Sequence, residues 1–182
     1  MARIIAGTYG GRRIETPKGD GTRPTSDRVR EAMFSSIESE LGGLGDDLRV
    51  LDLFAGSGAL GLEALSRGAA SAEFVESDAR AAVVVRNNIK ALGAHASVTR
   101  VTAERYLRDS PPDAFGLVLV DPPYAVPTEQ VAALVAIIKK SFAEPEALFV
   151  VERATRDPFV WPEGVEPLRH KAYGDTTLWY GH

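Results

Sequence analysis

Cysteine is absent from the 182 residues, which excludes disulfides, thiolate metal sites and cysteine nucleophiles together. Histidine is scarce: His95, His170 and His182 are scattered without ligand spacing, so no metal site is expected. No apolar run approaches the roughly 20 residues of a membrane-spanning helix. The first residues also lack the apolar stretch of a secretory signal. A cytoplasmic protein without a membrane partner is the expectation. Repeats and low-complexity segments are missing too. What remains, 45% hydrophobic and 25% charged residues, is ordinary for a folded chain and long enough to bury a substantial core.

The net charge of −4 is unevenly placed. Residues 1 to 30 hold seven basic side chains (Arg3, Arg12, Arg13, Lys18, Arg23, Arg28, Arg30) and three acids (Glu15, Asp20, Asp27). The other 152 residues hold 14 basic and 22 acidic side chains. A basic front on an acidic body suits a polyanionic partner.

From Arg49 onward, apolar strand-like runs alternate with helical stretches, the pattern of a doubly wound α/β sheet. Strands are expected at 49–54, 71–76, 96–101, 115–120 and 147–152, and helices at about 59–67, 79–92, 103–109 and 128–142. Two further strands, 166–173 and 176–180, face each other through Gly174-Asp175 as an antiparallel end. Ahead of them, "RIIAG" and "RRIET" read as a short hairpin around "TYGG". A turn-rich loop, "PKGDGTRPTS", leads to a helix that starts near Asp27, with Thr25, Ser26 or Asp27 as its cap, and ends at Gly42. The expected division is an extension over residues 1–24 and a catalytic domain over 25–182.

"VLDLFAGSGALG", residues 50–61, places Gly56, Gly58 and Gly61 in GxGxxG register between a strand and a helix. Such a turn lets the backbone approach a nucleotide closely. Glu76 closes the next strand, where a carboxylate accepts hydrogen bonds from ribose hydroxyls. The two features predict a nucleoside-type cofactor. A dinucleotide would bring a pyrophosphate to the helix N-terminus, whereas S-adenosylmethionine brings a sulfonium cation. Asp52 in the strand feeding the loop and Asp121 at a neighbouring strand tip suit the cation.

Asp121 opens "DPPY", at the end of the apolar run "FGLVLV". Prolines end a strand because they lack the donor a ladder needs. An acid, a stiff carbonyl and an aromatic ring together match an exocyclic amine on a planar base. Asp121 and the Pro122 carbonyl each accept one N–H, and Tyr124 stacks on the ring. With its hydrogens held, the nitrogen is aimed at a methyl donor, and positioning supplies most of the rate. The lack of cysteine argues against methylation at a pyrimidine C5.

The glycine stretch, Glu76 and DPPY resemble the successive motifs of class I S-adenosylmethionine-dependent amino-methyltransferases, which act on adenine N6, cytosine N4 or guanine N2. Residues 3–37, "RIIAGTYGGRRIETPKGDGTRPTSDRVREAMFSSI", are similar to the opening of the RsmD family, which methylates N2 of a guanine in 16S ribosomal RNA. "RPTSDRVREAMF" and "LDLFAGSGALGLEALSRGA" match that family's signatures. The resemblance implies a Rossmann-like class I methyltransferase with a seven-stranded, mostly parallel sheet and an antiparallel last strand, extended by an N-terminal hairpin and helix. It implies S-adenosylmethionine held by Asp52, Phe54, Ala55, Gly56, Ser57, Gly58, Glu76, Ser77, Ala103, Glu104 and Asp121, with Arg23 and Thr25 over the pocket. Asp121, Pro122 and Tyr124 would be catalytic. Arg3, Arg12, Arg13, Arg23, Asp27, Arg28, Arg30, Pro123 and Tyr124 would contact RNA, the guanidiniums gripping phosphates. The expected partner is 16S rRNA within a small subunit or an assembly intermediate, met by a monomer. A DNA or RNA adenine-N6 or cytosine-N4 methyltransferase would share every core motif. An NAD(P)-binding oxidoreductase and a non-catalytic RNA-binding module are the competitors of other classes.

Overall fold

The computed structural model describes residues 1–19 and 25–182. Its centre is a seven-stranded sheet of order β5-β4-β3-β6-β7-β9-β8. The strands are β3 (Arg49–Asp52), β4 (Ser71–Val75), β5 (Ala96–Thr99), β6 (Phe115–Val120), β7 (Ala143–Ala154), β8 (Pro167–Tyr173) and β9 (Thr176–Gly181). From β5 across to β7 the pairs are parallel, and β9 runs antiparallel to both β7 and β8. Strand order reverses between β3 and β6, and in such sheets ligands bind outside the carboxyl ends of the strands at that point.

Every residue of β6 is buried, because helices cover both faces. One apolar cluster joins Val50, Leu117, Leu119 and Val150 to α1 (Asp27–Leu41), α2 (Ala59–Ser66) and α3 (Ala79–Leu92). The other joins Leu51, Val118, Val120 and Phe149 to α4 (Ala103–Asp109) and α5 (Thr128–Ser141). The alternation along β6 therefore decides which side chains at its tip face which layer. Helix ends follow local chemistry. Ser26, Asp78 and Thr102 cap α1, α3 and α4 with side-chain oxygens, and Gly42 and Gly93 end α1 and α3 in the left-handed region.

The N-terminal hairpin has two rungs, β1 (Ala2–Arg3) on β2 (Arg13–Ile14), too few to stand alone. It is held from α2 instead. Glu63 accepts from the amides of Ile5 and Ala6 at 2.9 and 3.1 Å, and Ser66 accepts from Tyr9 N at 2.9 Å and donates to Ala6 O at 2.5 Å. Ile4 and Ile14 join the same cluster as Phe34.

Several strands end earlier than the sequence suggests: at Asp52, Val75 and Thr99 instead of 54, 76 and 101. There the chain leaves the ladder to build loops over the sheet edge. β7 is longer than the expected 147–152, since Ala143 pairs with Phe115 across an irregularity and β9 pairs with residues 149–154. Among the described residues no helix is long and apolar enough to cross a membrane.

Candidate functional site

A cavity of about 780 Å³ opens at the carboxyl edge of the sheet, where β3, β4, β6 and β7 end. Phe54, Ala55, Gly56, Ser57, Glu76, Ser77, Ala103 and Glu104 line it, and so do Asp121, Pro122, Pro123 and Tyr124. Met1, Ala2, Thr16, Pro17, Gly19 and Thr25 form a further wall, so the N-terminal segment closes a pocket that the sheet alone would leave open.

The three glycines do different work. Gly56 has φ of +58°, and a Cβ there would meet nothing within 4 Å, so its backbone faces open space. Gly58 and Gly61 pack backward instead. A Cβ on Gly61 would lie 2.4 Å from the Phe74 ring, and one on Gly58 would meet Val85 at 3.2 Å. Asp52 braces this turn from behind: its Oδ2 accepts from Gly61 N at 3.0 Å and its Oδ1 is buried without a hydrogen-bond partner. Burial raises the Asp52 carboxyl to about 7, against the Gly61 amide, with Glu76 adding repulsion. Asp52 and Gly58, expected beside the cofactor, lie behind the loop and not among the residues that line the cavity. A carboxylate on the strand that feeds the loop points across its own face toward the helix amide.

Glu76 is tied to the loop it faces. Its Oε2 accepts from Gly56 N at 2.7 Å and its Oε1 from Asp78 N at 3.0 Å. Each carboxylate oxygen has two acceptor sites, so one on each oxygen remains for the cavity. Apolar surface from Leu53, Phe54, Val75 and Val101 flanks it. Glu104 is exposed and accepts from Gln130 Nε2.

On the opposite side, Leu119 pairs with Val150 and Val120 with Val151, which places Asp121 and Glu152 side by side one step beyond. The Thr25 hydroxyl lies 3.1 Å from Glu152 Oε2 and 3.5 Å from Asp121 Oδ2. The Asp121 carboxyl is pushed well above the usual carboxylate range, first by burial, then by the charges of Glu152 and Asp52 and a hydrogen bond with Glu152, against the Thr25 hydroxyl. Two adjacent carboxyl groups cannot both ionise cheaply in one apolar recess. Tyr124 is half-buried, its hydroxyl 2.7 Å from Thr176 Oγ1 on β9. Buried Arg153 steadies the turn that follows, donating to Val126 O at 2.7 Å and Thr128 Oγ1 at 3.0 Å and pairing with Asp157 at 3.2 Å.

The expected RNA contacts divide. Arg13 and Arg28 are exposed. Arg12 reaches over to donate to Ala91 O at 2.6 Å, and Arg3 pairs with Asp27 at 2.9 Å on the surface. Arg30 does not fit a phosphate contact. It is 2% exposed, its guanidinium donates to Arg3 O and to Asp27 Oδ1, and it lies 3.7 Å from the fully buried Glu63. An arginine in the first turns of α1 falls on the face packed against α2, and its charge is met there. Arg23 lies outside the described residues.

Four residues that organise the site escaped sequence reasoning: Glu152, Arg153, Glu63 and Asn88. Asn88 on α3 donates to Glu15 O and to Ser57 O, each at 2.9 Å, so it joins the N-terminal segment to the glycine loop. The available signal was polarity inside an apolar context: "FVVER" ends a buried strand in two charges, and "LGLEALS" carries one acid among aliphatics.

Residues 2–182 match the family model described as conserved hypothetical protein 95. YlbH of Bacillus subtilis is 39% identical over 181 residues, covering 96% of this chain and 95% of its own. Ribosomal RNA small subunit methyltransferase D of Haemophilus influenzae is 32% identical over 94% of this chain and 89% of its own. The solved structure of yhhF from Escherichia coli superposes with a TM-score of 0.84 at 34% identity, over 99% of this chain and 96% of that one.

Proposed function

The chain belongs to the RsmD family of ribosomal RNA small-subunit methyltransferases, and from that membership we propose that it methylates the exocyclic N2 of one guanine in 16S rRNA, with S-adenosylmethionine as donor. One observation carries the reading. A single cavity contains the open glycine turn and Glu76 on one side and Asp121 to Tyr124 on the other, so donor and acceptor would meet inside it.

The residues fit the cofactor. Glu76 keeps one acceptor site per oxygen for the two ribose hydroxyls, and Gly56 leaves its space unfilled. Leu53, Phe54, Val75 and Val101 offer an apolar slot for a planar base beside Ala103. When bound, S-adenosylmethionine supplies an electrophilic methyl group on a sulfonium. Asp121, on the cavity wall, would favour that cation in its ionised form.

The chain's own residues supply the rest. A guanine leaves its stack, at a cost of a few kcal/mol, and lies against the Tyr124 ring, which Thr176 holds in place. Asp121 and the Pro122 carbonyl accept the two hydrogens of the 2-amino group and so direct its lone pair. As the nitrogen gains a methyl group it loses one proton, to Asp121 or to water. Thr25 and the N-terminal wall exclude solvent. Exposed Arg13 and Arg28 on the hairpin and α1 are placed to contact phosphates. A domain of this size reads RNA mainly by shape and by splayed bases, so the substrate is presented by a small subunit or an assembly intermediate.

The test is to incubate the protein with methyl-labelled S-adenosylmethionine and either small subunits or deproteinised 16S rRNA, and to identify the modified nucleoside by mass spectrometry. N2-methylguanosine is expected, with subunits the better substrate. Label in N6-methyladenosine or N4-methylcytidine would overturn the guanine assignment.

A further inference from the structure

The turn that carries the acceptor residues has little of its own to keep it in shape. Three of the residues 121–127 are prolines, which donate no hydrogen bond, and Pro123, Ala125 and Pro127 are exposed. A backbone bond from Val126 N to Pro123 O at 3.0 Å closes the turn. Two neighbouring strands grip it from outside. On β9, Thr176 Oγ1 lies 2.7 Å from the Tyr124 hydroxyl. On β7, Arg153 donates through Nη2 to Val126 O at 2.7 Å and to Asp157 Oδ2 at 3.2 Å, and through Nε to Thr128 Oγ1 at 3.0 Å. Thr128 passes its own proton to Asp157 Oδ2 at 2.5 Å. In the ladder Arg153 faces Thr177 and Ala154 faces Thr176, so the two grips arise one residue apart on the sheet.

As a source of stability Arg153 is a poor choice. It is fully buried, its acid Asp157 has a side chain 47% exposed, and its Nη1 has no hydrogen-bond partner. A cation kept from water against an acid that water still reaches recovers little of its desolvation, and an aliphatic chain of similar length would fill the space with less penalty. What an aliphatic chain lacks is the flat fork, which here joins the end of β7, the acceptor turn and the first residue of α5. We propose that Arg153 is the positioning residue of the acceptor side: by fixing Val126 it sets the Pro122 carbonyl and the Tyr124 ring against the methyl donor. Val126 lines the cavity and Arg153 does not, so its influence on the reaction passes through the turn. This rests on the acceptor role given to residues 121–124 above and deepens it.

The test sets single-turnover methyl transfer to small subunits, with cofactor and subunits both saturating, beside stability in urea. Arg153→Met is expected to slow transfer by about 10- to 100-fold, the effect of an ångström-scale misplacement. Its urea midpoint stays at the wild-type value or rises, and calorimetric binding of S-adenosylhomocysteine is unchanged. Arg153→Lys keeps the charge and loses the fork. It is expected to be as slow as Arg153→Met, and it carries the test should the methionine variant fail to fold. Thr128→Val removes one arm of the clasp and slows transfer less. Combined with either Arg153 variant it adds no further loss, because both substitutions act through the same contact. Transfer within about threefold of wild type in the Arg153 variants overturns the inference. A rate loss matched by a fall in urea midpoint overturns it too, since Arg153 would then only stabilise the fold, and so do losses that add in the double variant. A wild-type protein that transfers no methyl group to RNA refutes the function reading itself, a separate result.

Discussion

Replacing Asp52 by asparagine is expected to stabilise the ligand-free protein at alkaline pH and to leave it almost unchanged in acid. Asp52 is 1% exposed, braces the glycine turn through Gly61 N at 3.0 Å and has one oxygen buried without a hydrogen-bond partner. Its carboxyl rises from 3.8 to about 7 on folding. Between those values the folded chain holds a proton that the unfolded chain has released, so stability falls as pH rises from about 4 to about 7 and then levels off. At 1.36 kcal/mol per pH unit that window is worth at most about 4 kcal/mol. The asparagine amide copies the protonated acid, with an oxygen for Gly61 and N–H groups where the acid O–H stood, yet it cannot ionise. The stability gap between variant and wild type should therefore widen by about 2.7 kcal/mol from pH 5 to pH 8.5. With a urea slope of ~2 kcal/mol/M for a chain of this size, that is a midpoint difference growing by about 1.3 M. Urea titrations followed by the fluorescence of Trp161 and Trp179 at both pH values provide the measurement. Removing the Asp52 charge also relieves Asp121, which acts in the same direction. Parallel pH curves for the two proteins would refute the assignment of a buried, neutral Asp52.

Tyr124→Ala should raise KM for RNA by about 10- to 100-fold through lost stacking, worth about 1–3 kcal/mol. Tyr124→Phe, which loses only the contact with Thr176, should stay within about threefold of wild type in steady-state kinetics, and equal defects in the two variants would argue against stacking. Glu63→Ala leaves buried Arg30 and Arg67 without their shared partner and frees the amides of Ile5 and Ala6. A loss of about 3–5 kcal/mol in urea is expected, and a loss under about 1 kcal/mol would show that Glu63 does not anchor the hairpin.

Period and punctuation made the sheet readable in advance. "FGLVLV" has no polar position, as a strand covered on both faces requires, and glycines and prolines bound the loops after β3 and β6. The cavity residues of the glycine turn, Glu76 and DPPY were legible because each motif is short and lies at one strand tip. Glu152 was not, because its meaning arises from a neighbour 31 residues earlier in the chain, brought alongside by pairing between β6 and β7. Arg30 misled for a related reason. Its sequence surroundings are those of a basic surface helix, and only the approach of α2, carrying Glu63, makes that position interior. Asp52 pointed to the correct loop but on its far side, since one-dimensional spacing does not reveal which way a strand-end side chain turns.

The contacts that complete the cavity span unusually long stretches of chain. Ile5 bonds to Glu63, Glu15 to Asn88 and Thr25 to Glu152, the last pair 127 residues apart. During synthesis at ~5–20 residues per second, the first-made hairpin waits for the helices that receive it, and Thr25 waits roughly 6 to 25 s for its partner strand. The nascent polypeptide thus has no competent pocket until most of it has been translated.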